Sequence, residues 1–250
     1  MTSEQQGSEP EPRRHDDAFW AKPVGRLAPT DVPHGAVELI AGRRLHGATG
    51  GFGRLWQKTF RVRLEGAAVT PQELIATWKQ HFAEFWPKGQ RMFLPATGIA
   101  PGEIGVINAD LPGAPTMGTG VLVIYADDES FSFMSPEGHP FAGPLTFSAF
   151  AEDGVTVAQV QEFVRASDPL WELMLMTPVL GPRMQNDLWL STLRNLAAHH
   201  GVTAKVDADI VLVDPRRQWR HAKNLWHNAG IRSGLHAVTR PLRWLARRGT

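Results

Sequence analysis

Five strand-like segments follow one another between residues 103 and 160, and no helical pattern separates them. Turn residues divide the segments, and the stretches ADDES and AEDG are typical of hairpin turns. Strands joined by such short turns pair in antiparallel order, because a parallel pair needs a longer crossover. We therefore predict one antiparallel sheet from EIGVINA, MGTGVLVIYA, SFSFMS, PLTFSAFA and VTVAQV.

Three further segments are strand candidates. In KTFRVRLEG, Phe60, Val62 and Leu64 alternate with charged residues, which predicts a strand with one buried face. VTAKVDADIVLVD alternates in the same way near the C-terminus, and AVELIA is a short candidate. Residues 56–65 and 103–163 are together predicted to form a single sheet.

A helix is predicted to begin at Thr70. TPQE places a capping Thr, then Pro71 in the first turn and Glu73 three residues after the cap, as in a capping box. Pro87 is predicted to end this helix, because proline cannot continue it. At 100° per residue, the apolar face comprises Leu74, Ile75, Trp78, His81, Phe82, Phe85 and Trp86.

A second and longer helical region runs from Pro169 to Gly201. The run PVLGP, residues 178–182, is predicted to break or kink it near its first third. After the break, seven residues share one face, which we expect to turn towards the sheet. They are Gln185, Leu188, Trp189, Thr192, Leu193, Leu196 and His200.

The order of these elements resembles that of the START-like superfamily of helix-grip proteins, which includes polyketide cyclase-like and lipid-transfer proteins. The resemblance covers about residues 55–201 and rests on element order and the closing helix, with no signature motif. It implies an α+β fold in which a curved antiparallel sheet wraps around a long C-terminal helix, with a cavity between them. It also implies an apolar ligand such as a lipid, sterol or polyketide. It carries over no catalytic residue.

Three regions are predicted along the 250 residues. Residues 1–18 are expected to be disordered because they have almost no apolar surface. Residues 19–214 form the helix-grip-like domain with its lead-in, and residues 215–250 form a basic extension. The absence of cysteine excludes disulfides, zinc-thiolate sites and cysteine nucleophiles. No run of roughly 18 apolar residues is present, so we expect no transmembrane helix and a cytoplasmic protein.

The basic extension differs in charge from the rest of the chain. It holds nine basic residues and no acidic one, whereas the remainder holds 17 basic and 25 acidic residues. Interleaved Trp and Arg suit an anionic membrane surface, nucleic-acid phosphate, or docking on the acidic body. Pro241, Gly230 and Gly234 favour two short helices over one continuous helix. The candidates for peripheral membrane binding are Arg216, Arg217, Trp219, Arg220, Trp226, Trp244 and Arg247.

The stretch HGATGGFGRLW, residues 46–56, is rich in glycine. It lacks the third glycine of a dinucleotide-binding G-x-G-x-x-G motif, and no helix follows that could hold a phosphate. We therefore interpret it as a flexible or bulged entry to the following strand, where glycine permits positive φ.

A pocket is predicted between the sheet and the helix of residues 183–200. In SPEGHPFAG, Glu137 and His139 are a candidate general acid–base pair if their loop overhangs the pocket. A solvated hairpin loop is the alternative. Gln185 and Thr192 need a hydrogen-bond partner or a polar ligand group if they are buried. The predicted ligand-binding residues are Trp78, Phe82, Gln185, Trp189, Thr192 and Leu196.

We expect a non-catalytic protein that binds or transfers an apolar small molecule, with no cofactor and no metal. One alternative is a cyclase- or hydrolase-type enzyme in the same fold. The other is an interaction module that acts through its basic extension at a membrane surface or on nucleic acid. Polar groups that face one another across a cavity would favour the enzyme, and a purely apolar cavity would favour carriage. The absence of a cavity would favour the interaction module.

Overall fold

One antiparallel sheet forms the body of the protein in the computed structural model, which describes residues 17–110, 113–176 and 181–248. Its strands are β1 (Leu55–Arg63), β2 (Gln90–Phe93), β3 (Ile104–Ala109), β4 (Met117–Ala126), β5 (Ser130–Met134), β6 (Phe141–Ala142), β7 (Pro144–Glu152), β8 (Val155–Ala166) and β9 (Val206–Asp214). The strand order is β2-β3-β4-β5-β7-β8-β1-β9, and β6 pairs with β8 beside this path. Every one of these pairings is antiparallel, as the sequence predicted.

Four α-helices accompany the sheet in the described part of the chain. They are α1 (Pro71–Gln80), α2 (Pro169–Met176), α3 (Gly181–His199) and α4 (Ala229–Arg248), with short 3-10 helices at Asp17–Phe19, Ala48–Gly50, Phe82–Phe85 and Trp219–His227. Most of the predicted break at PVLGP lies outside the described residues; α2 ends at Met176 before it, and α3 begins with Gly181 and Pro182. The region predicted to be disordered, residues 1–18, lies outside the described residues except for Asp17 and Ala18.

The long helix α3 packs on the inward face of the sheet. Its Leu193 and Leu196 are fully buried and share one core with Phe60 of β1 and Val160 of β8. The predicted α+β helix-grip architecture is therefore confirmed. The sheet extends beyond β1 through β9, which confirms the strand expected from VTAKVDADIVLVD.

Helix α1 begins with the predicted capping box. The Thr70 hydroxyl accepts from the Glu73 backbone N at 3.2 Å, and the Glu73 carboxylate accepts from the Thr70 backbone N at 2.8 Å. The α-helix ends earlier than predicted, at Gln80, and a 3-10 helix follows it before Pro87. Trp86 is extended (φ −73°, ψ 146°), as the residue before a proline prefers.

One strand prediction was wrong, and one four-residue strand was not predicted. AVELIA forms no strand, because the Asn108 side chain takes the place of a neighbouring strand. Its amide oxygen accepts from Val37 N, and its amide nitrogen donates to Val37 O, both at 2.9 Å. Strand β2, with only four residues, was not predicted from its sequence QRMF.

The strand that follows the glycine-rich loop has the predicted irregular entry, a register shift between its first two residues, but positive φ is not the reason for the glycines. None of its glycines has positive φ among those recorded for the chain. Instead, the backbone N atoms of Phe52 and Gly53 both donate to the Ala166 carbonyl at 2.9 Å. A Cβ on Gly53 would lie 2.8 Å from the Ala166 Cβ, and one on Gly51 would lie 2.8 Å from the Arg165 Cβ. Close contact with β8 thus requires glycine here.

The basic extension is packed onto the body over its first half. The amide of Asn228 donates to the Asp168 carboxylate at 2.8 Å, Ala229 N donates to Gly138 O, and Gly118 N donates to the Ser233 hydroxyl. The break between its two helical segments falls at Asn228. Helix α4 continues through Pro241, contrary to prediction, because a proline removes one backbone donor without ending every helix that contains it.

Candidate ligand cavity

A cavity of about 420 Å³ lies between the inward face of the sheet and helices α2 and α3. Strands β3, β4, β5, β7 and β8 contribute side chains that alternate inward along each strand. Most of the lining is apolar, and it includes Val121, Phe133, Leu145, Leu188 and Trp189. Exposed Lys88 and Asp110 lie among the residues at its rim.

A buried carboxylate interrupts the apolar wall. Glu162 of β8 is 3% exposed, and its Oε1 accepts a hydrogen bond from the indole Nε1 of Trp189 at 2.8 Å. Lys58 of β1 stands directly opposite Glu162 in the strand register, and its ammonium donates to the amide oxygen of Asn186 at 3.3 Å. Burial lowers the pKa of Lys58, and the negative charge of Glu162 opposes that shift.

His139 also lines the cavity, in the loop before β6. Its Nδ1 lies 3.1 Å from the backbone N of Phe141, which donates to it. Burial lowers the pKa of His139 to about 4, so the ring is neutral at pH 7. Glu137 does not line the cavity, since its carboxylate accepts from the backbone N of Arg44 at 3.2 Å. Only one residue of the predicted acid–base pair, His139, therefore lines the cavity.

Three polar atoms on cavity-lining residues are buried and have no hydrogen-bond partner within the described part of the chain. They are the hydroxyl of Thr119 and the indole nitrogens of Trp86 and Trp171. An indole N–H can only donate, and a hydroxyl can donate as well as accept. Protein atoms cover all three, so a bound molecule would contact them only after a shift of the lining side chains.

The predicted ligand-binding residues divide between the cavity and the packed core. Trp189 lines the cavity. Trp78, Phe82 and Leu196 do not, because neighbouring side chains enclose them in the core. Thr192 is fully buried off the cavity wall, and its hydroxyl has no partner among the described residues. The side chain of Gln185 lies outside the described part of the structure.

Sequence reasoning missed Glu162, Lys58 and Thr119. Each occupies an inward position of its strand, where alternation predicts an apolar residue. Continuing the alternation of VTVAQV by two residues places Glu162 in the inward set with Val160. A charged residue at an inward strand position was the feature of the sequence that could have indicated a functional site.

Some of the predicted membrane-binding residues contact the body, and others are exposed or lie outside the described side chains. Arg216 and Arg217 pair with acidic residues of the body, Asp214 at 2.9 Å and Glu172 at 3.1 Å. Trp219 lies edge-on to Phe52 with ring centroids 5.2 Å apart, yet it remains mostly exposed. Arg220 and Trp226 are exposed. The side chains of Trp244 and Arg247 lie outside the described part of the structure.

Neither a metal-ion site nor a membrane-spanning helix is found in the described part of the chain. Residues 17–110, 113–176 and 181–248 contain no group of three His, Asp or Glu residues arranged to hold a metal ion. No helix within the same ranges has both the length and the apolar character needed to span a membrane.

No protein-family model matches the chain, and no curated protein matches it with significance. Its fold is similar to that of several solved structures. Major latex-like protein 151 from Panax ginseng is 13% identical, with 59% of this chain and 99% of that one covered and a TM-score of 0.41. The di-domain ARO/CYC StfQ from the steffimycin biosynthetic pathway is 11% identical, with 60% and 53% covered and a TM-score of 0.43. Protein Ms6760 from Mycobacterium smegmatis is 14% identical, with 57% and 89% covered and a TM-score of 0.42.

Proposed function

We propose that the protein binds an apolar small molecule in the cavity between the sheet and helices α2 and α3. The observation that carries this proposal is the cavity itself, with its volume of about 420 Å³ and mostly apolar lining. Sites for small organic ligands span roughly 300–1,000 Å³ and combine an apolar wall with a few placed polar groups. A molecule of lipid, sterol or polyketide character fits this description.

The polar atoms of the wall narrow the ligand class. A pure hydrocarbon would offer no hydrogen-bond partner to His139 and Glu162, which both lie on the wall. A ligand carbonyl or hydroxyl oxygen can bond with polar groups of this kind. We infer an apolar ligand that carries at least one such oxygen.

Blocking the cavity tests the proposal. Leu145 lines the cavity and faces Glu162 across the strand pair, so Leu145→Trp should fill part of the cavity. We expect this variant to lose most of the binding of a fluorescent apolar probe such as anilinonaphthalene sulfonate. Native mass spectrometry should show the loss of any co-purifying small molecule.

The matched control is Phe163→Trp, because Phe163 lies on the same sheet but is exposed and does not line the cavity. Both variants should keep the circular dichroism spectrum of the parent protein. Equal probe binding by a folded Leu145→Trp variant and by the control would contradict the proposal.

A second candidate is an enzyme of the cyclase or hydrolase kind. The observation that favours it is the presence of two titratable groups, neutral His139 and the carboxyl of Glu162, on the wall of the same cavity. Such groups can exchange protons with a bound substrate. If a bound metabolite is released chemically changed, and His139→Asn abolishes the change but not the binding, the enzyme is favoured. Release of the unchanged molecule favours carriage.

A further inference from the structure

Residues 219–238 of the basic extension present both apolar and basic side chains to solvent. We call this set the docking surface, and we propose that it binds reversibly to an anionic membrane surface. Its members are Trp219, Arg220, Lys223, Trp226, Ile231, Leu235 and Val238.

The apolar members are exposed to an unusual degree. Trp226 is 84% exposed, Val238 76% and Trp219 73%. Large aromatic side chains are mostly buried in folded proteins, and exposed apolar groups that cluster mark interaction sites. A partner that covers these side chains would remove substantial apolar surface from water.

Helix α4 has two distinct faces over its first three turns. Ile231, Leu235 and Val238 are spaced by four and three residues, so they lie on one face. Ser233 lies on the opposite face, where its hydroxyl accepts from the Gly118 backbone N of β4 at 2.9 Å. One face is therefore fixed to the body and the other is an aliphatic stripe in water, which is the arrangement of a helix that lies in a membrane interface.

The docking surface also carries positive charge. Residues 215–250 contain no acidic residue. Arg216 and Arg217 are already paired with Asp214 and Glu172, so we exclude them from the docking surface. Arg220 and Lys223 are exposed, and neither forms a salt bridge with the described part of the chain. These two cations are placed to attract anionic headgroups.

The aliphatic stripe favours a lipid surface over nucleic acid. Nucleic acid binds through basic and hydrogen-bonding side chains or stacked aromatic rings, and it offers little to Ile231, Leu235 or Val238. In a membrane interface, such side chains enter the acyl boundary, while Trp and cationic side chains remain at headgroup level. A membrane surface can therefore contact both the apolar and the cationic side chains of the docking surface.

Co-sedimentation of the full-length protein with vesicles tests this proposal. The vesicles are phosphatidylcholine with or without phosphatidylserine, at low and high salt. We expect binding to the vesicles with phosphatidylserine, weakened by salt because screening shortens the reach of charge. Point variants are preferable to truncation, since Asn228, Ala229 and Ser233 hold the extension to the body.

Two variants separate the apolar and charged parts of the docking surface. Trp226→Ala/Leu235→Ala/Val238→Ala should weaken binding about tenfold or more at every salt concentration, because it removes apolar insertion. Arg220→Gln/Lys223→Gln should weaken binding about tenfold at low salt and reduce its salt dependence. All the substituted side chains are exposed, so the circular dichroism and melting curves should match those of the parent protein.

Matched controls lie on the sheet. Phe163→Ala/Ile210→Ala/Val211→Ala removes three exposed apolar side chains outside the docking surface, and Arg91→Gln/Lys205→Gln removes two exposed cations. Both controls should bind vesicles as the parent protein does. No binding by the parent, equal loss in the controls, or tighter binding to duplex DNA in a gel shift than to vesicles would each overturn the proposal.

Discussion

Asn228 donates a hydrogen bond to Asp168 at 2.8 Å, and each of the two residues caps a helix. Asp168 accepts from the backbone N atoms of Leu170 and Trp171 at the start of α2, and Asn228 accepts from Ile231 N at the start of α4. Both side chains are buried. The bond therefore joins the start of α2 in the body to the start of α4 in the extension through two helix caps.

Replacing Asn228 should loosen the extension. Asn228→Ala removes a cap and the donor to a buried carboxylate, so we expect a loss of about 1–3 kcal/mol in the free energy of unfolding. Urea unfolding measures this loss, and limited proteolysis should show faster cleavage within residues 229–248. The control is Asn195→Ala, which removes a bond of 2.9 Å to Phe85 O far from the extension. The control should lose stability without faster cleavage of α4, and equal cleavage in both variants would contradict the prediction.

Thr119→Val should raise the stability of the protein and weaken its binding of the ligand. The Thr119 hydroxyl is buried without a partner, so its removal should raise the free energy of unfolding of the empty protein by about 1 kcal/mol. If the ligand accepts from this hydroxyl, the same change should weaken binding. Thr192→Val is the control, because that hydroxyl is also buried and unpartnered but lies off the cavity wall. It should raise stability alone, as measured by urea unfolding beside ligand titration. Weaker binding in both variants would count against a specific contact at Thr119.

His139 should make stability depend on pH. Burial lowers its pKa in the folded protein from the ordinary value of 6.5 to about 4. Between these two values the unfolded chain binds the proton and the folded protein does not, so the free energy of unfolding should fall as pH falls from about 6.5 to about 4. The contribution of this residue amounts to at most about 3 kcal/mol.

The difference between parent and variant isolates this contribution. In His139→Asn, an amide oxygen can accept from Phe141 N in place of Nδ1, but no group titrates at that position. Denaturation at a series of pH values should give a flatter profile for the variant between pH 6.5 and 4. Parallel profiles for the two proteins would show that the pKa of His139 is not lowered by folding.

The elements of the fold were predictable because local sequence determines them. The capping box at Thr70 and Glu73 and the alternation of Phe60 and Val62 are decided within a few residues. Strand β2 has too few residues for alternation to be visible, and no tight hairpin turn joins it to β3. The reason for the glycines in the glycine-rich loop was missed because it depends on a contact remote in sequence. The close partner of this loop, Ala166, is more than a hundred residues away in the chain.

Helix periodicity predicted that a pocket lies between the sheet and α3, but it did not predict which residues line the cavity. A helical face shows which side chains turn inward, but it does not distinguish a site where neighbours fill the space from one where they leave it open. Trp78 and Leu196 therefore resembled Trp189 in the sequence, although only Trp189 reaches the cavity. Strand residues such as Glu162 carry more information, because a charged group at an inward position requires a local explanation.

Strand β1 pairs with two strands, β8 and β9, that come much later in the sequence. Phe60 pairs with Val160 of β8 on one side and with Ala208 of β9 on the other. During synthesis, one edge of β1 must therefore wait for about 100 further residues and the other for about 150, and pairing over such distances closes slowly. In that interval the unpaired strand is open to association with other chains, as any free sheet edge is. The alternating arginines of β1, Arg61 and Arg63, place charge on this edge and oppose such association until β8 and β9 arrive.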